Sequence, residues 1–484
     1  MIEIMIHLEA DAKTPLYEQI YNYIKKNMED GKISRGEKLP STRFMAKYLQ
    51  ISRSTVELAY EQLRSEGYIE SVPCKGYFIC DIAELYRLER HVEEKETAPV
   101  QNTMQNELQD IIDFTINGVD KKHFPFNIWR KLHKDILLEE TDELLSVGDS
   151  QGEYGLRESI AHYLYQARGV NCTPEQLVIG AGNEYLLLLL AQLFEEKKKV
   201  AMENPTYLQA YHTFCNIGWE VQAIPAEGES DIFAAFGKTN PDVVYSMPSH
   251  QFPLGTVMPM KKRLELLHWA SEQEGRYLIE DDHDSEYRYK GKPIPSLQSI
   301  DSREKVIYLG TFSASIAPSV RVSYMVLPKN LLEIYQKKCD FYSTTVPKLS
   351  QKVLQRFIEE GHFGRHLNKM RSVYRNKHDI LLNELKKYPW VGRIRGENAG
   401  LHLLAELNTN LSEKEIEERA LQYGLKIEGL SHYDIVESRT QEKPVLLFGY
   451  GNLSEDMMRK GLSILDEILL NNRDRENERL QKIP

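Results

Sequence analysis

The chain has 484 residues, which at roughly 150 per domain allows two or three domains and excludes a single small module. A content of 41% apolar and 27% charged residues is that of an ordinary folded protein and excludes the disordered and fibrous classes. The net charge of −11 leaves no global field for nucleic acid, so any affinity for DNA has to come from a local surface.

The longest apolar run, Leu186–Leu190 with its neighbours, is far short of the ~20 residues that a membrane span needs. Met1–Ala10 carries Glu3, His7 and Glu9 in place of a basic segment followed by an apolar one. A cytoplasmic location without a membrane partner is expected. The five cysteines, at 74, 80, 172, 215 and 339, are too sparse and irregular for a disulfide framework or a zinc site, so reduced thiols and no metal are expected.

In chain order, Pro15 opens a helix in which Leu16, Ile20, Tyr23, Ile24 and Asn27 share helical spacing, closed by Gly31. Ser41 caps a second short helix with Met45, Ala46 and Leu49, and Ser52 a third with Val56, Ala59, Tyr60 and Leu63, up to Gly67. Two short capped helices across a tight turn predict a helix-turn-helix. The β-prone runs Tyr68–Val72 and Tyr77–Cys80, about Pro73-Cys74-Lys75-Gly76, predict a hairpin wing. Residues 1–80 hold eleven Lys and Arg against eleven Asp and Glu. One neutral copy should bind DNA weakly and with strong salt dependence, which favours two copies on paired half-sites.

Residues 81–110 lack periodicity and are rich in acid, and they read as a solvated linker. From Ile111, strands at Leu177–Ile179, Val243–Met247, Tyr277–Glu280, Val306–Leu309 and Tyr324–Leu327 alternate with helices, which predicts a mostly parallel sheet covered on both faces. After about Phe363 the pattern becomes a helix at Leu367–Lys387, strands near Leu401–Leu407 and Pro444–Tyr450, and helices near Ser412–Tyr423 and Ser454–Leu469. The expected domains are a winged helix-turn-helix at 1–80, a linker at 81–110, a large α/β domain at 111–362, a small C-terminal α+β subdomain at 363–470 and a charged tail at 471–484.

The ordered set Leu39-Pro40-Ser41-Thr42-Arg43, Ile51-Ser52-Arg53-Ser54-Thr55-Val56, Ala59-Tyr60-Glu61-Gln62-Leu63 and Glu66-Gly67-Tyr68-Ile69 resembles the GntR-type winged helix-turn-helix over its whole length. That resemblance implies double-stranded DNA as a partner. It assigns DNA contact to Arg43, Ser52, Arg53, Ser54 and Thr55, with Lys75 and Gly76 at the wing tip. Small hydroxyl residues at a helix start allow close backbone approach to a duplex, and arginine reaches phosphates and base edges.

Residues 111–470 resemble the fold-type I, pyridoxal phosphate-dependent aminotransferase-like domain that follows a GntR module in MocR-type regulators. The motifs come in the family's order: Gly152 to Arg168-Gly169-Val170, Ala181-Gly182-Asn183, Glu203-Asn204-Pro205-Thr206-Tyr207, Pro248-Ser249-His250-Gln251-Phe252-Pro253, Ile279-Glu280-Asp281-Asp282 and Thr311-Phe312-Ser313. The implied fold joins an N-terminal winged helix-turn-helix (α+β) to an α/β transferase-like domain with a small C-terminal α+β subdomain. The implied cofactor residues are Gly182, Asn183, Tyr207, His250, Gln251, Asp281, His283, Thr311, Ser313 and Arg321. In the family the residue after Ser313 is the Schiff-base lysine; here it is Ala314, and no imine forms at a methyl group.

Other positions depart as well. His283 stands where the family has a Tyr that reaches the cofactor's phenolic oxygen, and Val147 where a partner's Tyr reaches the phosphate. The strand Val445–Tyr450 lacks a carboxylate-binding arginine, for which Arg439 is a substitute. Several independent departures favour natural divergence over one engineered lysine-to-alanine change.

The expected protein is a homodimeric, DNA-binding transcription regulator, inactive as a transaminase. Its effector would be an amine, an amino acid or a pyridoxal derivative, and its pyridoxal phosphate-type pocket would take the ring without a covalent link or not at all. The alternatives are an aminotransferase with a DNA-binding appendage, if Ala314 replaces a natural lysine, and a ligand-insensitive dimeric repressor.

Overall fold

The computed structural model describes residues 6, 8, 9, 12, 14–34, 36–80, 111–116, 118–139, 141–226, 236–237, 240–436 and 443–480. The expected linker at 81–110 lies outside them, as does Arg439. The chain divides into two compact units, with the division after Gln105.

The first unit contains three helices and a hairpin: α1 (Leu16–Glu29), α2 (Thr42–Leu49), α3 (Arg53–Ser65), β1 (Ile69–Val72) and β2 (Gly76–Ile79). Apolar spacing along α1 buries Ile20, Ile24 and Met28 against Met45 of α2 and against Val56, Ala59, Tyr60 and Leu63 of α3. The Oγ of Ser41 accepts from the amide of Phe44 at 3.2 Å, and that of Ser52 from the amide of Thr55 at 3.2 Å, so both helices of the helix-turn-helix start on a serine cap. β1 and β2 pair antiparallel from Ile69 opposite Ile79 to Val72 opposite Gly76. The chain turns through Pro73, Cys74 and Lys75 into Gly76, the first residue of β2, with Cys74 and Gly76 at φ of 62° and 105°.

The second unit is built on a seven-stranded sheet in the order β4-β10-β9-β8-β7-β5-β6. Its strands are β4 (Leu177–Gly180), β5 (Lys199–Asn204), β6 (Glu220–Pro225), β7 (Val243–Ser246), β8 (Tyr277–Asp282), β9 (Val306–Thr311) and β10 (Ser323–Val326). Only β10 runs against its neighbours. One face carries Val178, Met202, Tyr245, Ile279, Ile307 and Met325 onto the leucines of the helix Asn183–Leu193. The other carries Ile179, Tyr308, Tyr324 and Val326 onto the helices Tyr154–Arg168 and Lys348–Glu359. Both faces are covered, as strands without polar alternation require.

A second sheet, in the order β11-β12-β15-β14, forms the small subdomain from β11 (Val391–Arg395), β12 (His402–Leu407), β14 (Glu428–Gly429) and β15 (Val445–Gly449). The early strand β3 (Ile112–Asp113) pairs parallel with β13 (Leu425–Lys426), so Ile112 and Phe114 pack in the small subdomain's core. The final helix runs Glu455–Leu480, which makes most of the expected 471–484 tail helical. No helix among the described residues is long and apolar enough to cross a membrane.

Candidate functional site

Parallel strands deliver their C-terminal ends to one edge of the sheet, where loops and helix starts meet. At that edge of the second unit lies a cavity of about 380 Å³. Eight of the ten residues expected to hold a cofactor line it: Gly182, Asn183, Tyr207, Asp281, His283, Thr311, Ser313 and Arg321, with Ala314 beside them.

Asp281, near the end of β8, is 4% exposed. It accepts from Asn183 Nδ2 at 3.2 Å and from the hydroxyl of Tyr245. Burial raises its pKa above the usual carboxylate value, and the neighbouring His283 and Tyr245 act against that rise. A cation at this point would relieve the cost of the buried charge. Tyr207 meets Phe252 edge-on at 6.2 Å, and burial pushes its phenol pKa up.

At the other end, Gly182 turns the chain into the helix Asn183–Leu193 with φ of 111°. A Cβ there would stand 2.1 Å from Arg321 Nη2, so a side chain would displace the guanidinium, and the positive φ itself favours glycine. Arg321, itself at φ 50°, donates to the carbonyl of Ala181 at 3.0 Å and to Glu184 at 3.2 Å. Thr311 Oγ1 accepts from the amide of Ser313 at 3.1 Å and from Ser323 Oγ at 2.9 Å. Helix-start amides, two hydroxyls and a guanidinium form a cradle for an oxyanion. The carbonyl of Ala314 accepts from Tyr287 Oη at 3.1 Å, and its methyl packs against the small subdomain's core.

His250 and Gln251 are not among the lining residues. Gln251 donates to the carbonyl of Pro205 at 2.8 Å and accepts from the amide of Leu254 at 3.1 Å, which makes it a brace between two loops. His250 Nδ1 faces both oxygens of Asp284, at 2.8 and 2.9 Å. Sequence reading also omitted lining residues that come from remote segments, among them Ile116, Val119, Gln209, Leu401 and His402. Of these His402 had a readable signal, an unusual histidine opening a buried strand. Its Nε2 faces the carbonyl of Pro253 at 2.7 Å, and burial lowers its pKa to about 4.

In the first unit the expected DNA residues fall into three groups. Ser52 Oγ lies 2.9 Å from Ser54 Oγ and 2.7 Å from Thr55 Oγ1, a compact hydroxyl cluster at the start of α3. Arg53 is exposed and bonds Glu57 at 2.7 Å, one turn on. Arg43 is exposed on α2, and Lys75 and Gly76 sit at the hairpin turn, where Lys38 approaches Gly76.

Residues 16–79 match the family of bacterial regulatory proteins of the gntR type, and residues 109–427 match the class I and II aminotransferases. The HTH-type transcriptional regulator YdeL of Bacillus subtilis (strain 168) is 41% identical over 96% of this chain and 99% of its own. The probable rhizopine catabolism regulatory protein MocR of Rhizobium meliloti is 29% identical over 96% of each chain. This chain belongs to the MocR subfamily of GntR regulators. The fold of the aminotransferase-like part is seen independently in the multiple substrate aminotransferase of Thermococcus profundus, which superposes with a TM-score of 0.67 at 24% identity over 76% of this chain and 93% of that one. The aminotransferase fold of a MocR-type chain supports a pyridoxal phosphate-type pocket at the cavity.

Proposed function

We propose that this chain is a DNA-binding transcription regulator whose aminotransferase-type cavity senses a small molecule without transaminating it. The observation that carries this is Ala314: it lines the cavity with Asp281, Tyr207 and Arg321, and no lysine lines it among the described residues. The residues fit pyridoxal phosphate held without a covalent bond. Asp281 would face the ring nitrogen and Tyr207 the ring, while Arg321, Thr311, Ser313 and the Gly182–Asn183 turn would take the phosphate, with Glu184 released from Arg321. When bound, this group supplies an electron-withdrawing ring and an aldehyde carbon. A methyl at 314 neither attaches the aldehyde nor carries a proton across the cavity, so the chain lacks both roles a transaminase assigns to its lysine.

The effector in this reading is an amine, an amino acid or a pyridoxal derivative, and the working unit is a homodimer that presents two winged helices to paired half-sites. The effector regulates only if it binds two arrangements of the dimer with different affinity. Fluorescence anisotropy on duplexes from the gene's own upstream region is the test. A specific complex is expected, and Arg53→Ala should weaken it by about 10- to 100-fold, the worth of one good base contact. Absence of specific binding to any upstream fragment refutes the regulatory reading.

The retained parts of the anion cradle, Thr311, Ser313 and Arg321, together with Asp281 favour, as a second reading, an enzyme with Ala314 in place of a natural lysine. Ala314→Lys with pyridoxal phosphate should then gain an absorption band near about 420 nm. Turnover of amino donors by the chain carrying Ala314 would overturn the sensor reading.

A further inference from the structure

Asp284 is 5% exposed, and its side-chain partners among the described residues are two imidazoles. A buried carboxylate needs a compensating cation: its neighbour Asp282 has a permanent one in Arg168, 2.7 Å away, while Asp284 has imidazoles, which are cationic only when protonated. Around Asp284 stand His250 Nδ1, at 2.8 Å, and His283 Nε2, 3.3 Å from Oδ1. The latter nitrogen is buried and makes no hydrogen bond. One ligand atom from each of the three residues lies within 4.8 Å of the other two. Four-coordinate zinc with bonds of about 2.0–2.2 Å sets neighbouring ligand atoms about 3.3–3.5 Å apart. Small side-chain adjustments span the difference.

We propose that His250, His283 and Asp284 form a site for a first-row divalent transition-metal ion, of which zinc is representative, opening on the cavity. Two imidazoles and one carboxylate suit zinc, cobalt, nickel or ferrous iron better than calcium or magnesium, which prefer all-oxygen shells, or cuprous copper, which prefers sulfur. The ligands are positioned by adjacent strand ends: His283 and Asp284 directly follow β8, and His250 lies shortly after its parallel neighbour β7. His283 and Asp284 line the cavity, so the remaining coordination positions face its contents, as in metal sites that act on or hold a ligand. The ion takes the place of the hydrogen shared by His250 and Asp284, which leaves to solvent. The site stands on these three side chains alone and does not depend on a pyridoxal ring occupying the cavity.

The test uses the full-length chain, stripped with EDTA, dialysed against zinc and then against cobalt, with metal content read by mass spectrometry. About one zinc per chain is expected, and cobalt should give visible ligand-field absorption of low-symmetry coordination. His283→Tyr and Asp284→Asn should each weaken zinc binding at least about 100-fold, since removal of groups that merely support ligands costs about 10- to 100-fold. Replacement of the exposed His268 by Ala should leave it unchanged. His283→Tyr is the decisive variant, because this half-buried residue at the cavity wall leaves the fold intact, as circular dichroism will verify. Stoichiometric zinc that survives both ligand variants, or no zinc retained by the folded parent chain, overturns the proposal. Neither result touches the DNA-binding test above.

Discussion

Glu203, next to last in β5, has 4% of its surface exposed, and burial raises its carboxyl pKa from 4.5 to about 6. The charge of Lys262, the amide of Met247 and a long bond from Ser246 at 3.3 Å offset the buried charge in part, and burial outweighs them. Because the folded value lies above the unfolded one, the proton is held more tightly in the folded state, and stability falls as pH rises through the interval between the two. Glu203→Gln removes that dependence. From about pH 4 to about pH 8 the variant should gain up to about 2 kcal/mol relative to the parent chain, read as the difference of urea unfolding free energies. A pH-independent difference between the two proteins would contradict it. The same scale shows what a single residue can and cannot reveal in a sequence. Asp281 and Arg321 stood out through their places in the family's motifs, since each alone could have been a structural charge. Gln251 looked equally significant within its motif, yet its amide bridges Pro205 and Leu254, a role fixed by two loops that meet only in three dimensions.

At the scale of the element, the start of α3 depends on one hydroxyl. Ser52 Oγ satisfies the Thr55 amide and lies next to both Ser54 and Thr55 side chains. Ser52→Ala should lower the unfolding free energy of the first unit by about 1 kcal/mol, measured by denaturant titration. A change within experimental error would mean that water replaces the cap at no cost. Caps and turn glycines are local signals, and the three helices and the wing were therefore readable from the sequence. In the second unit the signal was uneven. Strands β7, β8 and β9 are buried along nearly their whole length and open with the apolar runs Val243–Tyr245, Tyr277–Ile279 and Val306–Leu309. β6 is an edge strand with both ends exposed, and β5 ends in the buried polar pair Glu203–Asn204, so neither offers a continuous apolar run. β3, β13 and β14 have two residues each, too few to carry any periodicity. The antiparallel direction of β10 is a matter of connection, which side-chain pattern does not encode.

At the scale of the whole molecule, the first unit closes its core from its own residues: Ile20, Ile24, Leu39, Val56, Tyr60, Leu63, Ile69 and Ile79 pack together. A fragment comprising residues 1–80 should therefore unfold cooperatively by itself, with helical circular dichroism at room temperature. A fragment that shows no cooperative transition would place part of its stability in the second unit. On DNA the fragment should bind far more weakly than the proposed homodimer of the full chain, because a single copy presents one winged helix in place of two.

The cavity has the opposite construction. Its walls run from Ile116 to His402, so it exists only after nearly the whole second unit has been assembled. Ribosomes add about 5–20 residues per second and domains fold in order of appearance. The winged helix, complete at Ile79, thus precedes the last wall of the cavity by roughly 15 to 65 s. In the proposed reading each nascent copy thus carries, during that interval, a finished winged helix and no cavity, and copies that pair on DNA before the cavity closes would be deaf to the signal.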